Sequence, residues 1–179
     1  MKLARRAALA GLLIATQARA RSGLPPELAA ELPGARLHGS ATLRFLGLAV
    51  YDIRLWATHV PLEDPLGSPL ALELQYTRAL KGADIAQRSL DEMVRQGPIP
   101  APQRQRWLAE LQSLLPDVAA GDRLTGVQRP ADRLRLFHNG RLRGEVADAD
   151  FTRQFFGIWL APATSEPRMR RQLLRLGES

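Results

Sequence analysis

Apolar and polar positions alternate with a two-residue period along residues 36–57, and the rest of the chain is organised around that stretch. Two strand-like runs, 36–46 and 48–57, meet at Gly47, where an isolated glycine predicts a bulge or a sharp bend. In the second run Ala49, Tyr51, Ile53 and Leu55 share one face, and Val50, Asp52, Arg54 and Trp56 share the other. The first run sets Arg44 on a face with Thr42 and Leu46, close to apolar company. A guanidinium is costly to bury unpaired. Arg44 therefore reaches water, pairs with an acid, or meets an anionic or carbonyl ligand.

Residues 70–80 alternate again: Leu72, Leu74, Tyr76 and Arg78 fall on one face, so a leucine surface ends in a phenol and a guanidinium. The period then turns helical. Asp84 is placed to cap a helix, with Gln87 at capping-box spacing, a stripe of Ala86, Leu90, Met93 and Val94, and a stop at Gly97-Pro98. Pro102 starts a second helix, whose stripe is Trp107, Leu108, Leu111, Leu114 and Leu115. Strands return at 122–129, 133–138 and 141–146. The last two pair across Asn139-Gly140, a two-residue turn with positive φ at both positions. Asp148 caps a helix carrying Phe151, Phe155, Phe156, Ile158 and Trp159, and Ser165 caps a last one with Pro167 in its first turn. Ahead of all this, residues 21–35 read as a partly loose leading arm around a short helical piece at 27–32. Strands, two helices, strands and helices in that order give an α+β domain, an antiparallel sheet covered on one side.

Composition changes this picture at the N-terminus. Of the 179 residues, 1–20 carry Lys2, Arg5 and Arg6, then an apolar run, then Ala18-Arg19-Ala20. That is the pattern of a signal peptide, with the apolar run too short to span a membrane. A periplasmic or secreted domain at 36–179 is the expectation. Losing four basic residues and no acid lowers the formal charge from +7 to +3. The remaining arginines form no aromatic-interleaved cluster, so nucleic acid is not an expected partner. With no cysteine, the core alone must stabilise the fold, and a thiol nucleophile is excluded.

Other chemistry is sparse. His38, His59 and His138 stand far apart without a second ligand at helical or hairpin spacing, so no metal is expected. No glycine-rich phosphate loop, dinucleotide fingerprint or Gly-x-Ser-x-Gly elbow is present, and no cofactor is expected. Arg44, Tyr51, Tyr76 and Arg78 are left as candidate ligand-binding residues: arginine and tyrosine on an apolar face can receive a carboxylate or polarise a carbonyl.

The residues Leu43-Arg44-Phe45-Leu46-Gly47, Val50-Tyr51, Leu55-Trp56, Leu74-Gln75-Tyr76 with Arg78, Arg88-Ser89-Leu90, Gly121-Asp122, Phe137-His138-Asn139-Gly140 and Phe155-Phe156-Gly157-Ile158-Trp159-Leu160 resemble the bacterial chalcone isomerase-like proteins. The similarity spans about residues 36–175. It implies an open-faced β-sandwich, a large antiparallel sheet under a layer of helices with a ligand cleft between. The wider superfamily includes plant enzymes that close a chalcone to a flavanone and plastid relatives that bind fatty acids. In both, an arginine near the start of the long strand pair contacts the ligand's oxygen, and Arg44 occupies the matching place. The enzymes also use a threonine, where this chain has Tyr51, and a tyrosine and an asparagine on the first long helix. Residues 84–96 contain neither, and Asn139 is the only asparagine in the chain.

These features lead to an exported protein that binds a small amphipathic molecule such as a fatty acid in an apolar cleft, without catalysis. The first alternative is an isomerase of the intramolecular lyase type acting on a chalcone-like enone, with Arg44 as electrophile. The second is a protein-interaction module using the helix from Phe151 to Trp159, which requires an exposed Trp159.

Overall fold

The computed structural model describes residues 23–129 and 132–177; the signal-peptide expectation at 1–20 lies outside them. Six strands form one antiparallel sheet in sequence order: β1 (Arg36–Phe45), β2 (Leu48–Ala57), β3 (Leu70–Tyr76), β4 (Arg123–Gln128), β5 (Arg133–His138) and β6 (Arg141–Ala147). β1 and β6 are both edges, so the sheet is open. Helices α2 (Gly82–Arg95) and α3 (Ala101–Leu114) interrupt the strands after β3. Helices α4 (Ala149–Leu160) and α5 (Pro167–Leu174) follow β6.

Alternation along the strands divides the sheet into two faces. Ile53 and Leu55 of β2, Leu70, Leu72 and Leu74 of β3, Leu124 of β4, and Leu134 and Leu136 of β5 are buried under α2 to α5. Met93, Trp107, Leu111, Phe151 and Phe156 complete this main core from the helical side. The predicted helical stripes are core because their period matches the surface they cover. Gly39 lets β1 come up against α5, since a Cβ there would lie 2.2 Å from the Leu173 carbonyl oxygen.

The second face has a smaller core of Trp56, Ala71, Val127 and Phe137, closed by Leu28 of helix α1 (Pro26–Glu31) and by Leu32 just after it. The described part of the leading arm, residues 23–35, is therefore docked rather than loose. Glu27 is buried and accepts hydrogen bonds from Arg123 Nη2 at 2.8 and 2.9 Å and from Thr125 Oγ1 at 3.0 Å. Glu73, also buried on this face, accepts from Trp56 Nε1 at 2.8 Å and pairs with Arg54. Burial of these carboxylates is offset by several charge-assisted hydrogen bonds.

Local chemistry explains most boundaries. Asn139 and Gly140 take φ of 49° and 82°, as the β5–β6 turn requires. Asp148 Oδ1 accepts from the Phe151 backbone N–H and caps α4. Two expected caps are corrected. Asp84 lies inside α2, which begins at Gly82, whose N–H is instead held by Asp117 Oδ1 at 2.9 Å. Ahead of α5, Thr164 Oγ1 rather than Ser165 accepts from the Glu166 N–H.

Candidate functional site

Between the main face of the sheet and helices α2 and α4 lies a cavity of about 300 Å³. That is at the lower end of the roughly 300–1,000 Å³ range of small-molecule sites. Leu72, Leu74, Leu124, Gly126 and Leu136 form its floor. Ile85 from α2 and Phe155, Ile158 and Trp159 from α4 form its roof. Gly126 contributes by lacking a side chain, since a Cβ there would already lie 3.4 Å from Leu134 and Phe155.

Two phenols lie against this apolar space. Tyr51 and Tyr76 are register partners on β2 and β3, and their rings meet edge to face at 5.7 Å between centroids. Trp159 Nε1 donates to Tyr51 Oη at 3.0 Å. With its oxygen used as acceptor, the Tyr51 hydroxyl keeps a proton to donate elsewhere. Tyr76 Oη has no hydrogen bond among the described residues, so two phenolic donors line the cavity. Burial pushes the Tyr51 hydroxyl up to about 12, and burial together with the neighbouring Tyr51 raises Tyr76 as well. Both are neutral near pH 7. They donate hydrogen bonds and do not serve as bases.

Half of the remaining polar lining is acidic. Asp84, Glu92 and Glu166 border the cavity alongside Arg88, Ser89 and Ser165. Glu92 is buried and pairs through Oε1 with Arg88 Nη2 at 2.6 Å, while Arg95 Nε lies 3.6 Å from its Oε2. The one arginine that borders the space is thus already engaged.

Of the residues singled out in the sequence, Tyr51 and Tyr76 come together in this cavity, and Arg44 and Arg78 do not join them. Arg44 is exposed on the opposite face of the sheet, near Thr42, Asp52 and Arg54, and Arg44 Nη1 donates to the Gly47 carbonyl at 3.3 Å. The physical reason is alternation along β1: Leu43 pairs with Tyr51 and lines the cavity, so Arg44 takes the other face with Thr42. A bulge follows on β2, where Arg44 pairs with Ala49 and leaves Val50 without a counterpart. Ala49 is thereby separated from the Tyr51 face, and Val50 turns to line the cavity. Arg78 fails for a different reason: β3 ends at Tyr76, so the alternation that would have placed Arg78 beside Tyr76 has stopped, and Arg78 is exposed.

Arg88, Glu92 and Trp159 are among the lining residues that the sequence pattern did not single out as site residues. The helical stripe of α2 could have shown the first two, since Ile85, Arg88, Ser89 and Glu92 recur at three- and four-residue spacing. Trp159 is 7% exposed, which removes the free surface that an interaction module built on α4 requires. α2 presents no tyrosine or asparagine. Among the described residues, no group of three His, Asp or Glu is arranged to hold a metal ion, and no helix is long and apolar enough to cross a membrane.

Comparisons with known proteins bear on this geometry. Residues 34–175 match the family described as chalcone isomerase-like. An uncharacterized protein of Haemophilus influenzae is 31% identical over 106 residues, 59% of this chain and 52% of that protein. The chain thus matches about half the length of this curated relative. The crystal structure of a fatty-acid binding protein from Arabidopsis thaliana superposes with a TM-score of 0.65 at 15% identity, covering 79% of this chain and 87% of that one. At that identity the likeness is one of fold.

Proposed function

Because the chain belongs to the chalcone isomerase-like family, we propose that it binds a small amphipathic molecule of fatty-acyl type and performs no catalysis on it. The observation that carries the reading is an apolar cavity lined by two neutral tyrosines, one with its oxygen occupied by Trp159 and its proton free. The fatty-acid binding protein with the same fold supports the choice of ligand class. The acyl chain lies over the leucines of β3 and β4, and an oxygen of the head group accepts from Tyr51 and Tyr76. Asp84, Glu92 and Glu166 outnumber Arg88 around the space. That balance favours a head with no negative charge, such as a protonated fatty acid, an ester or an alcohol.

Catalysis finds less support. Phenols raised by burial do not abstract protons near neutrality, and Arg44 faces away from the cavity, so it cannot act as electrophile there. The basic, apolar and small-residue order of residues 1–20 supports export, which fractionation of cells producing the full chain tests. For the ligand, gentle purification followed by solvent extraction and mass spectrometry is expected to release about one acyl-chain compound per protein. A protein that yields none, and that takes up none when fatty acids and their esters are added, overturns the reading.

A further inference from the structure

We propose that the tip of the β1–β2 hairpin, Phe45, Leu46 and Leu48 flanked by Arg44 and Arg78, docks on an anionic lipid surface. The turn holds both central residues at positive φ, Leu46 at 50° and Gly47 at 80°. Such turns favour Asn-Gly, the pair this chain uses at the β5–β6 turn. A leucine gains nothing there. It has no side-chain oxygen to bond its own backbone, and its Cβ crowds the following carbonyl.

Nor does packing compensate. Leu46 is 86% exposed, with Phe45 at 65% and Leu48 at 60%, and a Cβ on Gly47 would meet nothing within 4 Å. Three large apolar side chains therefore project together into solvent at a position where backbone preference argues for a polar residue. An exposed apolar cluster of this kind marks an interaction site.

Charge identifies the partner. Thr77 ties its segment to the base of the hairpin, donating from N–H to the Val50 carbonyl at 3.0 Å and from Oγ1 to the Ala49 carbonyl at 2.9 Å. Residues 43–51 and 76–83 together contain Arg44, Arg78 and Lys81 and no acid. Lys81 is tied to Asp117, whereas Arg44 and Arg78 are exposed and form no ion pair among the described residues. An apolar tip with arginines just behind it matches the layering of an anionic membrane, acyl boundary outermost and phosphates next. A protein partner fits less well, because one projecting turn supplies far less than the roughly 800 Å² per side of a stable interface. Leu43 and Val50, a few residues down the same hairpin, line the cavity, so docking would bring the cavity to the lipid. The inference stands on the tip and does not require the cavity to be occupied.

Vesicle flotation of the full chain tests it, with phosphatidylglycerol–phosphatidylcholine vesicles compared against phosphatidylcholine alone. Binding is expected to the anionic vesicles, to weaken with salt, and to fall roughly tenfold or more in a Leu46→Asn, Leu48→Ser variant. Leu46→Asn gives the turn the favoured Asn-Gly pair and Leu48 is exposed, so the thermal midpoint of the double variant should not drop, which separates lost docking from lost folding. Fatty-acid uptake in solution should be unchanged in the variant, which distinguishes failure of this inference from failure of the ligand reading. Absent vesicle binding at low salt, or equal binding by the variant, overturns the inference. So does tip-dependent self-association without vesicle binding, which would make the partner a protein.

Discussion

Trp159 and Tyr51 join α4 to β2 through a 3.0 Å hydrogen bond at the edge of the apolar cavity, with the indole N–H as donor and the phenol oxygen as acceptor. The bond has two consequences: it satisfies a buried indole, and it leaves the phenol proton for a ligand. Tyr51→Phe removes both. Leaving the Trp159 N–H buried without a partner is expected to cost about 1–3 kcal/mol in denaturant unfolding. Affinity for an acyl ligand should fall in the same variant. Retained affinity would remove Tyr51 from the head-group site.

The same tyrosines set a response to alkali. Tyr51 is raised from 10.0 to about 12, and Tyr76 is raised too. As pH rises past 10 the unfolded chain releases these protons while the folded chain keeps them. Folding stability is therefore full below pH 10 and declines between about 10 and 12. Unfolding followed across that window should show a shallower decline in the Tyr51→Phe, Tyr76→Phe variant than in the wild type.

On the other face, Glu27 fastens α1 to the sheet through Arg123 and Thr125. Glu27→Ala leaves Thr125, which is fully buried, without that acceptor and removes a charge-assisted bond from Arg123. A loss of about 2–3 kcal/mol is expected in urea unfolding. Hydrogen exchange should rise first in residues 26–32. An unchanged midpoint would mean that the contacts of Leu28 and Leu32 suffice alone.

Gly39→Ala tests the approach of β1 to α5. A Cβ 2.2 Å from the Leu173 carbonyl oxygen and 2.6 Å from that of Gln172 meets backbone on both counts, so neither side can rotate away. The expected cost is about 1–3 kcal/mol or more, read as a lowered thermal midpoint. A variant as stable as wild type would show that α5 moves freely against the strand.

The fold was legible in the sequence because its signals are local. The Asn139-Gly140 turn, the Asp148 cap and the two-residue period of β2 and β3 each reflect a preference of the residues themselves. The site was only half legible. Tyr51 and Tyr76 follow from alternation within continuous strands, and their pairing needs only the antiparallel register. Arg44 lies away from the cleft because alternation sets it opposite Leu43, and only the long-range pairing of Leu43 with Tyr51 shows which face is the cavity's; Arg78 lies away because β3 ends at Tyr76, with no sharp sequence mark. The glycine at position 47 signalled a break in the pattern, but the displaced residue is Val50, three positions on. Docking of α1 was also hidden, since the partners of Glu27 lie about a hundred residues away.

A displacement titration with a fluorescent fatty acid on delipidated protein tests whether an acyl ligand enters the cavity beneath α2. Ile85 lines the roof, so Ile85→Trp should fill the space while leaving the exposed hairpin tip untouched. Saturable one-site binding by the wild type that is lost in Ile85→Trp is the predicted result. Absence of saturable binding, or equal binding by the filled variant, would contradict it.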